Sequence, residues 1–181
     1  LGEVAPLFNS EGKLEKLVAA FSNITQQKEA AEALRQSEEK YAKMIQSSPD
    51  AISLRTLAES RYLDVNESFT RLTVYSREET IGRVAEQLNL VPDKHGYARF
   101  LEELQREGEV RDLEFTLRTK TGEVRLARAS ASLLDIGGTH CILSITRDIT
   151  DIKQAEEALQ KSELQLQAMQ KMEAVGSLAG G

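Results

Sequence analysis

His95, His140 and Cys141 are the side chains of this sequence best suited to ligate a metal or attack an electrophile. His140 and Cys141 are adjacent, and adjacent residues on a strand point to opposite faces, so the pair cannot close on one ion. No other cysteine or histidine accompanies them, and no metal site is expected. Cys141 lies in the apolar stretch THCILSIT, the setting of an inert core thiol. As the sole cysteine it makes no internal disulfide, which is compatible with a reducing compartment. Apart from the His140–Cys141 pair, whose side chains point to opposite faces, neither histidine lies near a paired base or nucleophile in the sequence, and no glycine-rich phosphate loop of the right form is present. No catalytic constellation emerges, so the chain reads as a non-enzyme.

The bulk numbers narrow the remaining classes. With 181 residues, 40% apolar and 29% charged, the chain can bury one good core and still present exposed helices. A net charge of −6 with no compensating basic cluster argues against nucleic-acid binding. The carboxylates fall beside lysines on helical stretches and make a solvated surface. No apolar run approaches the ~20 residues of a membrane-spanning helix, and no signal peptide is seen. A cytoplasmic segment with no membrane contact of its own is expected, whatever anchors a parent protein elsewhere. The first residue is Leu and the last three are Ala-Gly-Gly, which reads as a piece of something longer.

An internal repeat organises the chain. ITQQKEAAEALRQSE at 24–38 returns as ITDIKQAEEALQKSE at 149–163, and the likeness runs backwards into PLFNSEGKLEKLVAAFSNIT and SASLLDIGGTHCILSITRDIT, with Gly12 over Gly137. Each copy reads strand, glycine turn, strand, then a helix. The spacing is too long for a solenoid and suits a whole small domain followed by a helical connector. The expected organisation is residues 1–25 as the tail of one domain, 26–47 as a linker helix, 48–150 as a complete domain and 151–170 as an outgoing helix.

Within 48–150 the pattern is explicit. Ser-Ser-Pro-Asp at 47–50 ends the linker helix, because the residue before proline is driven out of the helical region. AISLRTL and RYLDV read as short strands around an Ala-Glu-Ser turn. Asn66 caps a short helix, NESFTRLTVY, with Phe69, Leu72 and Thr73 on one face. Ser76 and Glu79 form a capping box, Gly82 closes the following turn, and Pro92 opens a longer helix through Glu107 that buries Phe100, Leu101 and Leu104 before Gly108. VRDLEFTLRT, EVRLARASASLL and THCILSIT then alternate as strands joined at Lys-Thr-Gly and Gly137-Gly138. The fold class is α+β: an antiparallel sheet with its helices gathered on one face.

This order, and the phrases SPDAISL, VNESFTRLTVYSREETIGR, LRTKTGEVRLARASAS and TRDITDIKQAEEAL, resemble the PAS domain, the sensory module found ahead of signalling enzymes. The resemblance implies a five-stranded antiparallel sheet flanked by long N- and C-terminal helices of coiled-coil type. Val74 stands where the family turn commonly carries glycine, so the backbone there is expected to avoid positive φ. The final phrase at 171–181, KMEAVGSLAGG, resembles the start of the dimerisation and phosphoacceptor region of sensor histidine kinases. That resemblance implies a kinase core and a response regulator as partners of the parent protein, with the acceptor histidine and nucleotide-binding domain outside this chain.

The resemblance also directs attention to a cavity between sheet and helices, and leaves its cofactor unknown. Light-sensing members share a Gly-Arg-Asn-Cys phrase whose cysteine attacks flavin. Here Gly82-Arg83-Val84-Ala85 puts Ala85 in place of the nucleophile, which excludes a flavin–cysteinyl adduct. Haem-binding members use a histidine on the longer helix, but His95 precedes the apolar face between Lys94 and Gly96, so a surface histidine is expected and haem is not. Ala127, Ala129 and Ala131 share one strand face and admit either a cavity or the close approach of a helix. A cavity would be lined by Leu54, Phe69, Leu72, Leu104, Phe115 and Cys141, residues that serve equally as ordinary core.

At the C-terminal junction the resemblance marks Asp148, Ile149 and Thr150, repeated as Asn23, Ile24 and Thr25, as the passage from last strand to outgoing helix. Thr150 or Asp151 can cap that helix, and Asp148 can pair with Arg125 or Arg128 or remain solvated. Ile152, Ala155, Leu159, Ser162, Leu166 and Met169 are spaced as a weak coiled-coil seam, and Gln27, Ala30, Leu34, Ser37, Tyr41 and Met44 repeat its register. Two functions follow: a sensory module that dimerises through its flanking helices and relays a signal through Asp148, Ile149, Thr150, Ile152 and Leu159, or a structural spacer with a filled core.

Overall fold

The computed structural model describes residues 2–21 and 25–179, with side chains described at 5–14, 16 and 26–170. Asn23 and Ile24 of the first repeat, and the side chains of 171–181, therefore lie outside the described residues. The chain divides between Met44 and Ile45 into two compact units.

In the first unit β1 (Gly2–Phe8) and β2 (Leu14–Phe21) pair antiparallel. Gly12 turns the hairpin at φ 74°, and the Asn9 Oδ1 accepts from the amides of Glu11 and Lys13. Helix α1 (Thr25–Gln46) follows, its last two residues belonging to the second unit; it is free of glycine and proline, with Arg35 paired to Glu32 and Glu39 on its surface.

In the second unit the elements are β3 (Ala51–Thr56), β4 (Tyr62–Val65), α2 (Glu67–Thr73), α3 (Arg77–Thr80), α4 (Ala85–Leu88), α5 (Lys94–Glu107), β5 (Glu109–Arg118), β6 (Val124–Ile136), β7 (Thr139–Asp148) and α6 (Thr150–Ala179). The five strands form one antiparallel sheet in the order β4-β3-β7-β6-β5. Its covered face carries Ala51, Val65, Leu117, Ala127, Ala131 and Ile142, packed against Phe69 and Leu72 of α2 and Phe100 and Leu104 of α5. Leu104 is completely buried, which alone contributes roughly 1.5–3 kcal/mol. The core is split. Ala51, Tyr62, Val65, Phe69, Leu72 and Leu88 belong to one cluster, and Phe100, Leu104, Val110, Ala131 and Ile142 to another.

Several local features depart from the sequence pattern for identifiable reasons. Val74 adopts φ 64° as the C-cap of α2, so the expected avoidance of positive φ is wrong. Its amide donates to the Thr70 carbonyl while Lys120 N–H donates to Thr73, and these bonds hold a valine where left-handed geometry costs about 1–2 kcal/mol. Helix α5 begins at Lys94 and not at Pro92: Asp93 is the N-cap, its Oδ1 accepting from Gly96 N–H at 2.9 Å. A Cβ on Gly96 would lie 2.4 Å from the Asp93 carboxylate, so a larger residue there would make the capping side chain shift. In β5 a bulge between Val110 and Leu113 places Asp112 at φ 51° and lets Val110 and Leu113 share the covered face. Helix α4 has no counterpart in the sequence reading. Helix α6 runs on past residue 170 as one helix to Ala179.

Candidate ligand cavity and outgoing junction

Between the two core clusters lies a cavity of about 650 Å³. Its walls are apolar, drawn from Tyr62, Phe69, Phe100, Leu113, Phe115 and Leu117, while exposed Asp93, Arg99 and Glu103 form part of its rim. The floor is the sheet, and there the lining turns polar: Ser53, Arg55, Ser144 and Thr146. Strand register explains this. Ala51, Ser53 and Arg55 alternate onto the covered face of β3, Ser53 sits opposite Ser144, and Ala51 opposite Thr146. Leu54, expected in the lining, falls on the opposite face of the sheet.

Arg55 is only 6% exposed. Its Nη1 donates to the Tyr97 hydroxyl, which in turn donates to Ser60 Oγ at 3.3 Å. The guanidinium lies 5.4 Å from the Tyr97 ring centre and 5.9 Å from that of Phe100, close enough for cation–π attraction. Burial pushes the Tyr62 phenol up to about 12, against the opposing pull of Arg55, so this cavity residue stays neutral at physiological pH.

Of the other expected lining residues, Phe69 and Phe115 face the cavity. Leu72 is packed in the first cluster and Leu104 in the second. Cys141 is buried opposite Leu134 and Thr56, on the Leu54 side of the sheet, with His140 exposed beside it. Ala129 lines the cavity whereas Ala127 and Ala131 pack in the clusters, so the alanine row serves both purposes foreseen for it. Ala85 opens α4 against the first cluster, and His95 is exposed on α5. Sequence reasoning missed Arg55, because the apolar residues of AISLRTL sit at alternate positions to those that face the helices. The signal available was the Ser-x-Arg spacing itself.

Where the last strand becomes α6, three residues are bound back to the sheet. Ile149, 2% exposed, donates its amide to the Leu126 carbonyl at 2.9 Å. The Leu126 amide donates to Thr150 Oγ1 at 2.9 Å, and Thr150 donates its hydroxyl and its amide to Asp148 Oδ1 at 2.6 and 3.0 Å. Arg125, one of the two partners considered for Asp148, lies 3.5 Å from its carboxylate, while Arg128 binds Glu114 instead. Glu114 lies between the cavity residues Leu113 and Phe115 of β5, and its carboxylate, on the opposite face of the strand, also meets Lys153 of α6 at 3.4 Å. The Arg128 guanidinium, helped by Lys153, holds the Glu114 carboxyl below its usual range. Leu126, the central partner of the junction, was not singled out by sequence. Ile152 and Leu159 are exposed along α6.

The incoming side is tied down differently. Asn66, 1% exposed, accepts from Ile52 and Phe69 amides at Oδ1 and donates Nδ2 to the carbonyls of Ile45 and Asp50, all at 2.9–3.0 Å. Arg147, at the end of β7, clasps Asp50 through two bonds of 2.8 and 2.7 Å.

A family profile described as the PAS fold matches residues 39–149, more than half of the chain. The chain belongs to the PAS family. Among curated proteins, this PAS chain is 32% identical over 148 residues to a methyl sulfide methyltransferase-associated sensor of Methanosarcina acetivorans, covering 80% of the chain and 14% of the sensor. It is 29% identical over 150 residues to the sensor histidine kinase TmoS of Ectopseudomonas mendocina, covering 81% and 15%. It is 28% identical over 182 residues to the two-component sensor PprA of Pseudomonas aeruginosa, covering 99% and 19%. The chain thus spans less than a fifth of the length of these relatives. Among solved structures, a PAS domain from a two-component sensor histidine kinase superposes with a TM-score of 0.55 at 20% identity, over 63% of this chain and 98% of that one. A domain of a sensory box sensor histidine kinase/response regulator from Geobacter sulfurreducens gives 0.52 at 26% identity, over 64% and 96%. Among the described residues of the PAS chain, no helix is long and apolar enough to cross a membrane, and no group of three or more metal-ligating side chains is present.

Proposed function

We propose that this chain is the sensory and dimerising segment of a sensor histidine kinase, which converts a change in its PAS cavity into a change in α6 and so in a kinase core that follows it. In this reading residues 1–25 end a preceding PAS-like domain, α1 is a connector, and 171–181 begin the dimerisation and phosphoacceptor region. The parent acts in the cytoplasm on a response regulator, and the chain pairs with a second copy through its flanking helices.

The observation that carries the reading is the outgoing junction. Leu113 and Phe115 of β5 line the cavity while Glu114 between them projects from the opposite face of the strand to Lys153, and Leu126, on the neighbouring strand, holds Ile149 and Thr150. A displacement of β5 or β6 caused by a ligand would therefore be felt directly in the first turn of α6. Beyond that turn Ile152, Leu159, Leu166 and Met169 are exposed in heptad register, as a helix awaiting a partner requires. A seam of alanine, serine and isolated large residues binds weakly, so two packings can differ by only a few kcal/mol and a small bias selects between them.

The cavity favours a sensor over a spacer with a filled core. The relay is tested in the parent kinase by inserting one to seven residues after Ser162. One residue rotates everything downstream by ~100°, and seven restore the seam to within ~20°. Signal-dependent autophosphorylation is expected to vary periodically and recover at seven. A steady decline with length, or indifference to it, would reduce α6 to a tether. Sedimentation of the whole chain against residues 41–150 tests the dimer: equal association would move the interface from the helices onto the domain.

A further inference from the structure

We infer that the cavity is a binding site for a small organic carboxylate with an apolar body, and that Arg55 is the residue that receives its charge. The inference rests on the sensory reading above and adds the chemical class of the ligand.

Among the described residues Arg55 is a buried cation without a counter-ion, and no carboxylate forms an ion pair with it. Asp93 caps α5, and Glu114 is engaged by Arg128 and Lys153. Among the described residues the one hydrogen-bonding side-chain partner of Arg55 is the Tyr97 hydroxyl, and its Nε has none. A guanidinium removed from water to this degree is costly unless an anion or a full set of acceptors accompanies it. The second unpartnered buried side-chain atom, Ser144 Oγ, lies on the same polar floor. Ser144 is 7% exposed and faces Ser53 across the β3–β7 pair, two residues along the strand from Arg55. A guanidinium edge and hydroxyl donors thus converge at one end of an otherwise apolar space.

A carboxylate answers each of these features. It is planar and accepts two parallel bonds from one guanidinium, the geometry arginine is suited to. Its remaining lone pairs accept from serine hydroxyls. The Tyr97 and Phe100 rings lie within cation–π range of the guanidinium, and its Nε remains available to an acceptor. The apolar remainder of the ligand meets Tyr62, Phe69, Phe115 and Leu117. Phosphate, carrying more charge and no apolar part, would leave those walls uncovered.

The test is calorimetric titration and thermal melting of the 181-residue chain with benzoate, cyclohexanecarboxylate, the neutral isostere benzamide, and inorganic phosphate. At least one carboxylate is expected to bind and raise the melting temperature while benzamide and phosphate do not. Arg55→Gln should weaken that binding by roughly 10- to 100-fold, the range for a hydrogen-bonded charge. Ser144→Ala supplies a second readout, insensitive to any folding defect of the arginine variant. It should weaken binding about fivefold yet melt no lower than the parent, since it removes an unpartnered hydroxyl. Benzamide binding as well as benzoate, phosphate binding in their place, or undiminished binding by Arg55→Gln would overturn the assignment. So would the failure of every carboxylate to bind, and that result leaves the relay to its separate insertion test.

Discussion

Where the chain enters the PAS domain, one side chain that is 1% exposed, Asn66, makes all four of its hydrogen bonds to backbone. Where it leaves, Thr150 and Asp148 make the corresponding bonds at the surface. A buried amide cannot exchange its partners for water, so every broken bond is felt in full; a surface hydroxyl can, and loses little. The incoming junction is therefore a fixed point and the outgoing one an adjustable joint. A domain that reports on its cavity through α6 needs this asymmetry, because displacement must be taken up on one side only.

The largest effect should come from the fixed point. Asn66→Ala strands the carbonyls of Ile45 and Asp50 and the amides of Ile52 and Phe69, and removes the cap of α2. A loss of about 3 kcal/mol or more in denaturant unfolding is expected from these together. A loss below about 1 kcal/mol would put Asn66 on a par with a surface cap and erase the contrast.

Next in size is Thr150→Val, which keeps the shape of the side chain and removes the acceptor for the Leu126 amide. Stability should fall by about 1 kcal/mol, whereas signal-dependent autophosphorylation of the proposed parent kinase should fall much further, and Thr150→Ser should restore both. Loss of stability without loss of signalling would make the junction merely structural.

The smallest effect concerns the Asp50–Arg147 clasp, which bridges the two sides. Arg147 holds the Asp50 carboxyl below its usual range. A lowered folded value means the bond contributes fully above the unfolded aspartate value, about 3.9, and is lost as pH falls through the lower folded one. Asp50→Asn should therefore lower the melting temperature slightly at pH 7, with the difference from the parent shrinking once pH falls below about 4 and vanishing only below the lowered folded value. A difference that persisted in acid would assign it to packing.

Much of this domain was legible in its sequence because local rules agree with the fold. The Ser76–Glu79 capping box, the Gly108 stop and the alternation of Leu113, Phe115 and Leu117 each say where an element ends or which side it buries. The cavity floor was not legible, because in β3 the apolar residues Ile52 and Leu54 lie on the less covered side and Ser53 and Arg55 face the helices. Hydrophobic alternation reports which face is apolar, and a polar-floored cavity inverts it. Val74 at positive φ, the bulge at Asp112 and the partnership of Leu126 with Thr150 are likewise set by bonds between distant residues, which no local pattern encodes. Asn66 shows both sides: its cap on Phe69 is local and was foreseen, while its bonds to Ile45 and Asp50 are long-range and were not.

Amide hydrogen exchange across the two junctions tests the asymmetry most directly. The Ile52 and Phe69 amides, held by Asn66 Oδ1, should exchange only with global unfolding, and the Leu126 and Thr150 amides, held by Thr150 Oγ1 and Asp148, at least ~10-fold faster through local opening. Equal protection at the two junctions, or faster exchange at Ile52 and Phe69, would contradict a fixed incoming side and an adjustable outgoing one.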